Sequence, residues 1–130
     1  MDRTVIEVPG ISEGIRKARV PLSPAIRANG FVFVSGTPPI DLATGNFVRG
    51  DMAQQTEQCL RCLQHVLESA GSSLEKVCKV VIYATDTTQF GRINEVYARF
   101  FKEAPPARSF VPVAPWPLDF DIEIECVALA

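Results

Sequence analysis

Residues 51–71 read DMAQQTEQCLRCLQHVLESAG and carry the clearest helical period of the chain. Asp51 is a favoured N-cap residue, and Gln54 three positions later completes the pattern of a capping box. Gly71 is the residue type that most often follows the end of a helix. The apolar residues between them recur at intervals of three and four, which predicts a long helix with one buried face. They are Met52, Cys59, Leu60, Leu63, Val66, Leu67 and Ala70.

Runs of β-branched and aromatic residues on both sides of this helix predict strands. They are FVFV at residues 31–34, ended by Ser35-Gly36, and VCKVVIYA at residues 77–84. A further short strand is predicted at residues 47–49, after the turn-forming stretch DLATGN. A second helix is expected to begin at the capping residues 86–88 and to end at Phe101.

Two more strands are predicted near the end of the chain. The run ARSFVPV at residues 107–113 follows a rigid Pro-Pro pair, and DIEIECV at residues 121–127 alternates acidic and aliphatic side chains with the period of a half-buried strand. If the two runs fold back on each other about Pro115-Trp116, Arg108 lies opposite Glu123.

This order of elements predicts an α+β fold, with two helices packed on one face of a mixed sheet. With 130 residues and a 47% hydrophobic composition the chain can bury one core. We therefore predict a single domain, residues 1–130, in which residues 1–20 and the stretch up to Pro24 are irregular. The strands offer more apolar surface than two helices can cover, so we expect the bare face to pair with further copies of the chain.

Charge and composition argue against several classes of partner. The 13 basic and 15 acidic residues give a net charge of −2, which disfavours nucleic-acid binding. No run approaches the roughly 18 apolar residues of a membrane span, and the N-terminus lacks the apolar core of a signal peptide, so we expect a cytoplasmic protein. The four cysteines lie in apolar periodic segments, which favours reduced core thiols over disulfides.

Spacing alone leaves two interpretations of Arg108 open. Opposite Glu123 in a partly dry cleft, its guanidinium could hold an anionic substrate while the carboxylate orients a water molecule. Alternatively, the two residues form an ordinary cross-strand pair on a solvated sheet face, where such a pair contributes about 0.2 to 1 kcal/mol.

Metal and histidine chemistry are less well supported by the sequence. Cys59, Cys62 and His65 rotate around the middle of a helix and lack a fourth ligand at zinc-site spacing, so we predict no metal site. His65 is the sole histidine, which leaves a Ser-His-Asp triad without a suitable base. The alternating acids from Asp119 to Glu125 lie in line along one strand and not around a calcium loop.

Four segments, taken together, resemble the Rid (YjgF-type) family of imine/enamine deaminases. They are FVSG at 33–36, INEVYARFF at 93–101, PARS at 106–109 and IEIECVA at 122–128. The resemblance implies a chorismate-mutase-like protomer, a homotrimer with active sites between subunits, and hydrolysis of 2-imino or 2-enamino acids to 2-keto acids and ammonium. It implies no cofactor.

The resemblance also implies roles for individual residues. Arg108 would grip the substrate carboxylate and Glu123 would orient the attacking water, with Ser35 and Asn94 as polar binding residues. Two positions depart from the family pattern: Leu22 stands where catalytic members carry a tyrosine, and Phe110 where they carry a cysteine. Leu22 lacks a hydroxyl and Phe110 makes the cleft narrower or more apolar, so a larger or more hydrophobic imino acid is as plausible a substrate as a small one.

Two other functions remain to be weighed against deamination. A non-catalytic trimer that binds small carboxylates, or regulates through them, would keep the Arg108 anchor and is compatible with Leu22 and Phe110. Ribonuclease activity, known among relatives, fits poorly with an acidic chain that has neither a histidine pair nor a basic groove.

Overall fold

The protein, described here from a computed structural model over residues 2–130, is built on one six-stranded sheet. Its strands are β1 (Arg3–Val5), β2 (Ala25–Ala28), β3 (Phe31–Thr37), β4 (Val77–Ala84), β5 (Ala107–Pro112) and β6 (Ile122–Leu129). Its helices are α1 (Ser12–Ala18), α2 (Met52–Ser69) and α3 (Phe90–Phe100), with 3-10 turns at Leu74–Lys76 and Thr87–Gln89. The strand order is β1-β2-β3-β6-β4-β5, in which β4 and β5 run parallel and the other neighbours antiparallel.

One face of the sheet forms the core together with the helices. The predicted capping box opens α2: the Asp51 carboxylate accepts from the Gln54 amide at 2.8 Å, and the Gln54 side chain accepts from the Asp51 amide at 2.9 Å. Strand β6 alternates as its sequence predicts, with Ile122, Ile124, Cys126 and Ala128 buried beneath the helices. The α+β class and the mixed sheet with its two long helices on one face are therefore confirmed.

The other face of the sheet is not covered by any of the helices formed by residues 2–130. Exposed apolar side chains of β3 and β6 lie on it beside the acidic residues of β6. They include Phe31, Phe33 and Leu129.

Two predictions of local structure were wrong. The N-terminal region is not irregular: β1 pairs with β2, and the short helix α1 follows, with Ile11 buried and Ile15 packed against the core. Ile11 and Ile15 are four residues apart, and their packing against the core stabilises α1 despite the low helix propensity of Gly14. Residues 47–49 do not form a strand, because Phe47 makes a single isolated bridge to Ile40.

The predicted hairpin of the last two strands was also wrong. Strand β6 lies between β3 and β4, and β5 pairs with the far side of β4. The period-two alternation of a strand is the same whichever neighbour it pairs with, so the sequence pattern could not choose between these arrangements.

No helix within residues 2–130 has the length and apolarity that crossing a bilayer requires.

Candidate functional site

Arg108 lies on edge strand β5, on the side of the sheet that faces the helices. It pairs with the buried Val80 of β4, and its Cζ lies over two rings of α3, 4.9 Å from the centroid of Tyr97 and 5.6 Å from that of Phe90. Its side chain forms no hydrogen bond and no ion pair with any residue from 2 to 130. A half-buried guanidinium without a protein acid is suited to an anionic ligand.

Two buried polar atoms of α3 lie on the helix face that meets Arg108. Asn94 and Tyr97 are four and seven positions after Phe90 and so share its face. Asn94 Oδ1 and the Tyr97 hydroxyl have no hydrogen-bond partner within residues 2–130. Burial raises the pKa of Tyr97 to about 12, against the opposing effect of the Arg108 charge, which keeps the hydroxyl protonated at neutral pH.

Phe110 completes this group of side chains. It lies two residues after Arg108 on the same side of β5, half-buried against the core, and meets the Phe90 ring edge-on at 5.1 Å. We call the group the Arg108 cluster; it consists of Arg108, Phe110, Phe90, Asn94 and Tyr97.

Glu123 lies on the opposite, bare face of the sheet. Its backbone pairs with Tyr83 of β4, and its half-buried carboxylate forms no hydrogen bond with residues 2–130. Burial, and to a lesser extent the charge of Glu125, raises the pKa of Glu123 above its ordinary value. Such a carboxylate is a stronger base than one in water, which suits a group that takes a proton from a water molecule.

Gly36 makes room for this carboxylate. The register between β3 and β6 shifts between Val34 and Thr37, so Ser35 and Gly36 form an irregular step in the ladder. A β-carbon at Gly36 would collide with the carboxyl group of Glu123. The Ser-Gly pair that the sequence suggested as a strand end is therefore an internal part of β3.

Two other groups surround Glu123 and Gly36. The Tyr83 hydroxyl donates to the Glu125 carboxylate, which leaves Glu123 as the carboxylate of β6 without a side-chain donor. The Ser35 hydroxyl donates to the carbonyl oxygen of Ser23 at 2.6 Å, so it ties β3 to the segment before β2. We call these residues the Glu123 cluster; it consists of Glu123, Gly36, Ser35, Glu125 and Tyr83.

Leu22 directly precedes Ser23, whose carbonyl oxygen accepts from the Ser35 hydroxyl. It is 46% exposed and borders a groove of about 190 Å³ whose lining includes Ile15 and Pro24. A second cavity, of about 270 Å³, lies near Phe101 and Pro106 and includes none of the predicted site residues.

The structure thus divides the predicted site residues between two places. Arg108, Asn94 and Phe110 lie together on the helix side, whereas Glu123, Ser35 and Leu22 belong to the other side or its margin. Strand β4 lies between the strands of Arg108 and Glu123, and their pairing partners on β4, Val80 and Tyr83, are three residues apart. The α-carbons of Arg108 and Glu123 are therefore separated by roughly 14 Å, and their side chains lie on opposite faces of the sheet. The predicted contact between Arg108 and Glu123 within one chain was therefore wrong.

Sequence reasoning missed Phe90, Tyr97 and Gly36 as parts of these clusters. The spacing of Phe90, Asn94 and Tyr97 could have placed them on one helix face. That this face meets Arg108 depends on the pairing of β5 with β4, which no local pattern indicates.

Comparisons with known proteins give a consistent result. A family model described as Endoribonuclease L-PSP matches residues 14–130. A RutC family protein of Pyrococcus horikoshii is 45% identical over 117 residues, which cover 90% of this chain and 93% of that protein. The chloroplastic Reactive Intermediate Deaminase A of Arabidopsis thaliana is 42% identical over 108 residues, which cover 83% of this chain and 58% of that protein. The crystal structure of a Yersinia pestis protein of the conserved Rid protein family superposes with a TM-score of 0.91 at 35% identity, over 99% of this chain and 100% of that one.

Proposed function

This chain belongs to the Rid family, the family of the Endoribonuclease L-PSP model, and on that premise we propose that it hydrolyses 2-imino acids to 2-keto acids and ammonium. The observation that carries the proposal is Arg108, a half-buried guanidinium held against two aromatic rings with no acid partner among residues 2–130. The name of the Arabidopsis relative, Reactive Intermediate Deaminase A, supports deamination at the level of the family.

In the proposed reaction Arg108 binds the carboxylate of the 2-imino acid through its planar N–H fork. Glu123 accepts a proton from a water molecule, whose oxygen forms a bond to the C=N carbon. Glu123 then returns this proton to the carbinolamine nitrogen. The C–N bond breaks as the C=O bond of the 2-keto acid forms, and the departing ammonia takes the hydroxyl proton and leaves as ammonium. A 2-enamino acid enters the same route after it tautomerises to the imine.

We propose that each active site is built from two protomers of a homotrimer. Arg108 and Glu123 lie on opposite faces of one sheet, so one chain cannot bring both to one small substrate. The bare face with its exposed apolar residues is a suitable subunit contact, and it carries Glu123. A neighbour's edge strand against that face would bring its Arg108 cluster to the Glu123 cluster.

The site needs little catalytic power for this chemistry, because a protonated imine carbon is already electrophilic. Positioning the substrate and water and complementing the substrate charge are the expected contributions. The charges of the chain argue against the alternative of ribonuclease activity. The net charge is −2, and Glu123 and Glu125 on the bare face would repel the phosphate backbone of RNA.

The experiment generates 2-imino acids of increasing chain length with an amino-acid oxidase and follows the loss of semicarbazide-trappable imine. We expect acceleration over buffer, and we expect Arg108→Ala to lose about 2 to 4 kcal/mol of transition-state binding, or about 30- to 1000-fold in kcat/KM. Arg92→Ala, which removes an exposed arginine of α3, is the matched control and should leave the rate unchanged. No acceleration at any chain length rejects the reaction, and an unchanged rate in Arg108→Ala rejects the anchor.

A second function, non-catalytic binding of small carboxylates, is favoured by one observation. Leu22, which lacks a hydroxyl, is exposed and directly precedes Ser23, whose carbonyl oxygen accepts from the Ser35 hydroxyl. Calorimetry that finds tight binding of a 2-keto acid by a protein that does not turn over any 2-imino acid would select this alternative.

A further inference from the structure

The neighbours of the Arg108 guanidinium are two aromatic rings, whereas a buried arginine is commonly paired with a carboxylate. Phe90 and Tyr97 are seven residues apart on one face of α3, and the Arg108 Cζ lies over both rings, at 5.6 Å and 4.9 Å from their centroids. Distances below about 6 Å are those of an attractive contact between a cation and a ring face. The two rings therefore hold the guanidinium from positions about two turns apart on the same helix.

Each of these rings is held in turn by another aromatic side chain. Phe90 meets Phe110 edge-on at 5.1 Å and 84°, and Tyr97 packs on Phe101 at 4.7 Å. Tyr97 is 6% exposed, whereas Phe90 is 44% exposed at the outer end of the cluster. Phe90 can accordingly be shortened with less damage to the core than Tyr97.

A ring face and a carboxylate affect a guanidinium in different ways. A carboxylate neutralises the charge and occupies the N–H donors that point along the edge of the plane. A ring attracts the cation through its face and leaves those donors unoccupied. The full positive charge and the fork geometry then remain available to a ligand.

We propose that Phe90 and Tyr97 are positioning residues, whose ring faces fix the Arg108 guanidinium in place of an acid so that its donor edge is presented to the carboxylate of the ligand. The inference rests on the proposed function only in that Arg108 anchors a carboxylate ligand. In this proposal the aromatic ring of Tyr97 positions Arg108 and its hydroxyl has no part in binding. Tyr97→Phe should therefore bind the ligand with the affinity of the wild type.

The test measures binding of 2-oxobutanoate to the purified full chain by calorimetry. We expect Phe90→Leu to weaken binding by about 2- to 30-fold, the range for loss of one such contact, and Phe90→Tyr to restore it. In the deaminase assay Phe90→Leu should raise KM while kcat changes little, because the carboxylate contact is the same in the substrate and in the transition state. Arg92→Ala controls for changes elsewhere on α3, and thermal unfolding checks that each variant is folded.

The outcomes separate this inference from the proposed function. Wild-type affinity in Phe90→Leu, together with lost affinity in Arg108→Ala, overturns the role of the rings and leaves the Arg108 anchor in place. Equal loss of affinity in Phe90→Leu and Phe90→Tyr also overturns it, since a ring is then not sufficient. Absence of binding by the wild type, or unchanged binding by Arg108→Ala, overturns the anchor and the inference with it. Binding that depends on Phe90 in a protein without turnover supports the inference and rejects only the deaminase reaction.

Discussion

At the scale of single residues, Glu123 has the surroundings that a water-activating carboxylate needs. It is half-buried, it has no side-chain donor among residues 2–130, and the absence of a side chain at Gly36 leaves room for its carboxyl group. Its neighbour Glu125 accepts from Tyr83 instead. The two carboxylates of one strand face therefore differ in their hydrogen bonding, and we propose that only Glu123 is free to act on a water molecule.

The acid limb of the pH profile tests this arrangement. A protonated Glu123 cannot accept a proton from water, so the rate should fall as the pH decreases through its raised pKa. Glu125→Gln removes the charge that is the second cause of the raised pKa and keeps an acceptor for Tyr83. We expect the acid limb of kcat/KM to move to lower pH, while Glu95→Gln on the exposed side of α3 leaves it in place. An acid limb that stays or moves to higher pH in Glu125→Gln would contradict the assignment.

The sequence allowed the individual site residues to be proposed, but not their grouping. Arg108 is distinctive because it is a lone charge in an apolar strand, and Ser35-Gly36 because small residues interrupt one. Tyr97 gives no such signal, since a tyrosine on the apolar face of a helix reads as an ordinary core residue. Its contact with Arg108 follows from the packing of α3 on β5.

At the scale of elements, patterns within one segment of the sequence predicted the helices and strands that are stabilised by interactions within that segment. The capping box, the apolar period of α2 and the β-branched run of β4 predicted elements that the structure contains. Strand partners depend on contacts between distant segments, and this is why β6 could not be placed between β3 and β4 from the sequence. Helix α1 was missed because seven residues that include a glycine carry little helical tendency of their own.

The start of α2 gives a prediction at this scale. Asp51→Ala removes the acceptor for the Gln54 amide, which should lower the free energy of unfolding by about 1 kcal/mol in a urea titration. Asp51→Ser keeps a capping oxygen and should stay within about 0.5 kcal/mol of the wild type. Equal destabilisation in both variants would show that the cap does not stabilise α2.

At the scale of the whole molecule, the two faces of the sheet have different uses. One face is covered by α2 and α3, and its edge carries the Arg108 cluster. The other face carries exposed apolar side chains and the Glu123 cluster, and we propose that a second chain contacts it. A catalytic site that requires both clusters makes assembly a condition for activity.

Assembly can be disturbed on the bare face without touching either cluster. Phe33 is 45% exposed in the protomer, and Phe33→Lys places a charge where we expect a subunit contact to exclude water. We predict monomers in light scattering and the loss of deaminase activity. Glu68→Lys, on the exposed side of α2, changes charge as well and should leave the trimer intact. A trimeric Phe33→Lys protein would show that this face is not the contact.

The most direct test of the central claim, that Arg108 and Glu123 of different chains meet in one site, is co-expression of Arg108→Ala and Glu123→Gln protomers in equal amounts. Each variant alone should be inactive. In mixed trimers a site is intact when one chain supplies Arg108 and its neighbour supplies Glu123, so we predict recovery of about one quarter of the wild-type activity. Mixed trimers that are verified by native mass spectrometry and remain as inactive as the single variants would contradict the account.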